Sequence, residues 1–159
     1  MLDIVPKGPG QAVAVVSTLD TKGRETAYLA ERIRESDLDV LVVDSGVLGE
    51  PCGITPDIGH ERVAEAAGMT LEAVQAIGTR GAAVEVMARG LSRVLADLYR
   101  QGRCAGVIAL GGAEGAVIAA RALQALPLGL PKIIVTPVAA GRRTFGPFVG
   151  LRDVLLMHS

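Results

Sequence analysis

Five short apolar runs, separated by stretches of helical periodicity, limit what this chain can fold into. They are Ala12 to Val16, Asp39 to Asp44, Ala105 to Leu110, Lys132 to Val135 and Asp153 to Met157. Within each run the apolar residues are continuous rather than alternating with polar ones, the pattern of strands covered on both faces. Half of the residues are hydrophobic, yet aromatic residues make up only 3%. The core must therefore be built from Ala, Val, Leu and Ile, the usual material of helices packed on a buried parallel sheet.

Tyr28, Leu29 and Ile33 fit one amphipathic helix between the first two runs, starting near Glu25. A long stretch then separates the second and third runs. Its first part, Gly46 to Gly59, reads as a loop with Pro51-Cys52-Gly53 and Thr55-Pro56-Asp57 turns. Helical patterns follow over Glu61 to Ala67, Leu71 to Ala76 and, most regularly, Ala82 to Arg100. In the last, Val84, Met87, Ala88, Leu91, Val94, Leu95 and Leu98 recur at steps of three and four. A short Ala-rich helix, its body from Val117 to Leu123, precedes the fourth run. Strand–helix alternation of this kind predicts one α/β domain: a doubly wound, mostly parallel five-stranded sheet with helices on both faces. The fifth run, of buried type, lies at the very end of the sequence. It suggests a fragment, or a sheet completed by another domain or subunit.

Sixteen basic residues balance seventeen acidic ones. With so few aromatic rings, this argues against DNA or RNA binding. Cys52 and Cys104 belong to no CxxC or Cys/His cluster, which suits two free thiols and argues against zinc. No signal-peptide pattern opens the chain and no apolar run reaches the ~20 residues that cross a bilayer. The expectation is a cytoplasmic protein without a membrane partner.

Ligands of open α/β sheets bind at the carboxyl ends of the strands, and three polar sets fall there. After the first strand comes Ser17-Thr18-Leu19-Asp20-Thr21-Lys22-Gly23. Thr18, Thr21 and Lys22 offer two hydroxyls and a cation to an anion, and Asp20 suits a metal or a ribose. Asp20 or Thr21 is equally suited to capping the following helix. After the third strand comes Gly111-Gly112-Ala113-Glu114-Gly115-Ala116. Its glycines allow close backbone approach, and the helix start beyond them attracts anions. It is not a Walker A loop, because no Lys-Ser or Lys-Thr follows. After the fourth strand, Thr136-Pro137-Val138-Ala139-Ala140-Gly141 leads into Arg142 and Arg143, small residues beside cations. Asp44 ends the second strand where a ribose-binding acid falls in dinucleotide folds, although the GxGxxG fingerprint is missing. If the first, third and fourth strands are neighbours, the three sets converge on one crevice for a phosphorylated small molecule. No Ser-His-Asp or Cys-His pairing points to nucleophilic catalysis. Two alternatives stand: a dimerisation or docking module, and an enzyme for a small phosphorylated or acyl substrate with Asp20, Lys22 or Glu114 as acid or base.

Thr18 to Gly23, then Leu110-Gly111-Gly112, then Leu126-Pro127-Leu128-Gly129-Leu130-Pro131-Lys132, together resemble the Tm-one-like ATP-binding family. That family includes a plant protein conferring resistance to tomato mosaic virus, and bacterial relatives. Phe148-Val149-Gly150 and Asp153 to Met157 resemble it too, so the likeness runs over nearly the whole chain. The resemblance implies the Rossmann-like amino-terminal half of a longer, dimeric, two-half protein, with ATP bound with or without magnesium. By motif it assigns Thr18, Asp20, Thr21, Lys22 and Gly23 to the nucleotide site and Gly111, Gly112 and Gly115 to the phosphates. Thr136 and Gly141 match the family's small-residue loop. Ala113 and Ala116 stand where the family carries hydroxyl residues, and Glu114 where it carries glycine. A carboxylate there repels phosphates unless a cation intervenes or it points away.

Overall fold

The computed structural model describes residues 10–140 and 150–159. Its sheet has strands β1 (Ala12–Ser17), β2 (Asp39–Asp44), β3 (Cys104–Leu110), β4 (Lys132–Thr136) and β5 (Leu155–His158). All pair in parallel, in the order β2-β1-β3-β4-β5. The helices are α1 (Leu19–Arg34), α2 (His60–Ala66), α3 (Leu71–Gln75), α4 (Arg80–Arg100) and α5 (Ala113–Leu123). The doubly wound α/β fold expected from the alternation is thus present. Winding runs from β1 outward to β2 on one side and to β3, β4 and β5 on the other, so a topological switch point lies between β1 and β3.

The two faces of the sheet differ. One carries α2 to α5 over a continuous core in which Val63, Val74, Met87, Leu91, Leu95 and Leu123 meet Ala14, Val16, Val107 and Ile134. The other carries α1 among the described residues, with a small cluster of Leu19, Ala30 and Val42. α4 earns its length locally. Thr79 caps it by accepting a bond from Ala82 N (3.4 Å). Gly102 (φ 69°) ends it in the left-handed conformation while Arg103 N donates to Leu98 O (2.9 Å), a Schellman stop. At Gly90 the carbonyl of Val63 comes so near that a Cβ would overlap it, which fixes how closely α2 and α4 pack.

Three boundaries differ from the sequence expectation. α1 begins at Leu19, not near Glu25, so Asp20 to Gly23 form its first turns rather than a loop before it. Burial of Leu19 and a bond from its N to Asp44 Oδ1 (3.2 Å) pull the helix start back to the strand end. Neither Asp20 nor Thr21 is the cap; Thr18 holds that position, without a side-chain cap bond. α5 likewise starts at Ala113, which places Glu114, Gly115 and Ala116 inside the helix. β5 begins at Leu155, because Asp153 is occupied by Lys132 Nζ (2.7 Å) and Gly129 N (2.7 Å). Nor is β5 of buried type: Leu155 and Met157 are 60% and 56% exposed. The opposite edge is better covered. Segment 57–58 pairs with β2 in parallel, with Asp44 N donating to Ile58 O (2.9 Å) and Ile58 N to Val42 O (3.1 Å).

Candidate functional site

A cavity of about 440 Å³ opens at the carboxyl ends of β1 and β3, beside the switch point. Thr18, Asp20 and Thr21 of the α1 start form one wall, and Gly112 to Gly115 of the α5 start form the next. The long crossover closes the rest with Val47, Leu48, Val74 and Ile77 and with Thr79, Arg80 and Val84 of α4. One side of the cavity is therefore polar and rich in helix starts, and the other is aliphatic. Gln75 stiffens the aliphatic side, its Nε2 donating to Val47 O (2.9 Å). On the polar side the Thr21 hydroxyl lies 3.1 Å from Thr18 Oγ1 and 3.4 Å from Asp20 Oδ1.

Each glycine after β3 has its own role. A Cβ on Gly111 would stand 2.7 Å from Ala116 N, so the turn closes only with glycine there. Gly115 brings α5 against Thr18, where a Cβ would lie 3.4 Å from Thr18 Cγ2. Gly112 is different: nothing stands within 4 Å of where its Cβ would be, and its φ is −68°. Neither packing nor backbone demands glycine at Gly112. What its glycine does is leave α5 without a side-chain cap, with the first-turn amides beside the cavity.

The remaining sequence candidates lie elsewhere. Lys22 pairs with Glu25 (2.8 Å) and, with Gly111, lines a second cavity of about 490 Å³ on the α1 face. Gly23 carries the crossover: Cys52 O rests against it so closely that no Cβ fits. Asp44 is buried and lines neither cavity. Its Oδ1 accepts from Leu19 N (3.2 Å) and Gly46 N (2.9 Å), and Oδ2 lies 3.8 Å from His60 Nδ1. Burial pushes the Asp44 carboxyl above its ordinary range, opposed by those backbone bonds and by His60. Asp44 therefore fixes the start of α1 and of the following loop. Thr136 is buried and accepts from Val138 N (3.4 Å). Gly141, Arg142 and Arg143 lie outside the described residues. Cys52 and Cys104 are free thiols, one exposed and one buried.

Sequence reasoning missed Arg80, which pairs with Glu114. Arg80 Nη1 stands 3.4 Å from Glu114 Oε1, at the cavity mouth. Arg80 thus sets a cation beside the Glu114 carboxylate. The signal was present in Thr79-Arg80, a capping residue followed by a basic residue at a helix start, where a positive charge is unfavourable without an anion nearby.

A family model described as the N-terminal domain of an uncharacterised protein family, UPF0261, matches residues 11–159. The chain belongs to the UPF0261 family. A UPF0261 protein of Clostridium tetani is 35% identical over 147 residues, 92% of this chain and 36% of that protein. One from Mesorhizobium japonicum is 36% identical over 149 residues, 92% of this chain and 35% of its own length. The tomato ToMV resistance protein Tm-1(GCR237) is 28% identical over 161 residues, 92% of this chain and 21% of that protein. The resemblance read from the motifs therefore holds at the level of the family. The chain spans about a third of the length of these bacterial UPF0261 proteins.

Proposed function

We propose that this UPF0261 domain binds a phosphate-bearing small molecule, with ATP the first candidate, in the cavity between α1 and α5. One observation carries the reading: α1 and α5 both start on the cavity, and the α5 start has no side-chain cap bond. The α5 start offers free amides and the positive end of its dipole, which favour phosphate, while the first α1 amide, Leu19 N, is taken by Asp44. Thr18 and Thr21 add hydroxyl donors, Asp20 suits a ribose hydroxyl or a magnesium ion accompanying the phosphates, and the aliphatic wall suits a base. A cavity of this size is within the ~300–1,000 Å³ range of small-molecule sites.

Calorimetric titration with ATP, with and without magnesium, tests the proposal; no heat and no thermal shift at millimolar ligand would sink it. Gly112→Asp separates binding from folding. Aspartate is a favoured cap and meets no neighbour at that position, so the melting temperature should hold. Its carboxylate fills the anion seat, so affinity for ATP should fall about tenfold or more, an electrostatic cost above 1.4 kcal/mol.

A second reading, docking of another domain or subunit, is favoured by Tyr28, Leu155 and Met157, exposed apolar side chains on the α1 helix and β5. Sedimentation velocity decides it for homo-oligomers. A clean monomer that binds no apolar dye removes this reading.

A further inference from the structure

We infer that Glu114 is a built-in competitor for the ligand's phosphate, and that Arg80 is the cation for which the two compete. This deepens the phosphate-binding reading above and rests on it. The pair joins the starts of two different helices across the cavity mouth, Arg80 Nη1 to Glu114 Oε1 at 3.4 Å.

Arg80 gains nothing from its own helix. It is the first residue of α4, whose first turn holds no acidic residue, so the dipole opposes its charge. Nor is the pair needed to hold α4 on α5. The two helices already share a buried apolar contact that includes Met87, Leu91 and Ala119, and an Arg121–Glu85 ion pair lies farther along them. Glu114, by contrast, sits well at the α5 start, where a carboxylate is favoured and where the uncapped amides would also receive a phosphate. The side chains are 83% and 55% exposed, so breaking their contact costs little. A guanidinium can then turn its planar fork to phosphate oxygens, which it binds bidentately.

The ligand class follows. Phosphate oxygens compete with Glu114 for Arg80, which favours phosphorylated ligands over neutral nucleosides. The variants carry opposite signs. Glu114→Gln should tighten binding of ATP and of pyrophosphate about fivefold, and Arg80→Gln should weaken both about tenfold. In Arg80→Gln/Glu114→Gln the gain from Glu114→Gln should shrink, since the contested cation is gone.

Titrations of ATP, pyrophosphate and adenosine into the wild type and the three variants read this directly, with thermal melts to confirm folding. Tighter binding by Glu114→Gln supports the inference, including the case in which that variant binds and the wild type is silent. Wild-type binding that Glu114→Gln leaves unchanged or weakens overturns the inference and leaves the phosphate-binding reading in place. Silence from every variant at millimolar ligand removes both.

Discussion

The α2–α5 face and the α1 face of one sheet solve different problems. On the first, a continuous aliphatic core leaves Met87, Leu91, Leu95 and Leu123 almost without contact with water. On the second, the cluster around Leu19, Ala30 and Val42 serves the β1 and β2 side, while Leu155 and Met157 of β5 stay exposed. Fold stability is thus concentrated on the first face. The second face spends its sequence on holding a helix start and a loop at the switch point.

That contrast can be broken by substitution. Leu91→Ala, on the α2–α5 face, should cost about 2–5 kcal/mol in urea unfolding, because it removes a fully buried side chain and leaves a cavity. A loss near zero would mean that this core does not carry the fold. Lys132→Met comes next, at about 2 kcal/mol. Its buried ammonium donates to Pro127 O (2.8 Å) and Leu130 O (2.7 Å) and pairs with Asp153, and the variant leaves those acceptors unpaired.

A pH titration sharpens the same point. The bond from Lys132, with help from Gly129 N, holds the Asp153 carboxyl below its ordinary range. A depressed carboxyl stabilises the fold above its unfolded pKa, and this contribution fades as pH falls through the folded value. Asp153→Asn should therefore flatten the acid side of the stability profile, and an unchanged slope would show that the pair contributes nothing. The smallest effect belongs to the α1 face: Leu155→Ser should shift stability by no more than about 0.5 kcal/mol. A larger loss would place a packing partner over β5.

Much of this was readable from the residues. Continuous apolar runs marked the strands because a covered parallel strand has no wet face, and the three- and four-residue steps from Val84 to Leu98 marked α4. The helix starts were misplaced for a physical reason. Asp44, distant in sequence, receives Leu19 N and draws α1 back to the end of β1, an effect that no local pattern records. The same limit applied to the candidate site. Thr18, Asp20, Thr21, Gly112 and Gly115 were found by their place after strands, and they do line one cavity. Lys22 follows Thr21 directly in sequence, yet helical rotation carries it to the other cavity. Arg80 went unnoticed because its partner is on another helix.

The connection from β2 to α4 has a consequence for how such a domain can diversify. It contributes no strand to the sheet, yet it supplies Val47, Leu48, Val74, Gln75 and Ile77 to the cavity wall. Most of that lining can change without shifting strand register, since register is set by β1, β2 and β3. The helix starts on the cavity belong to the frame, and much of its aliphatic wall belongs to the connection. Leu48 and Gln75 can therefore vary most freely, while Val74 is shared between the cavity wall and the core.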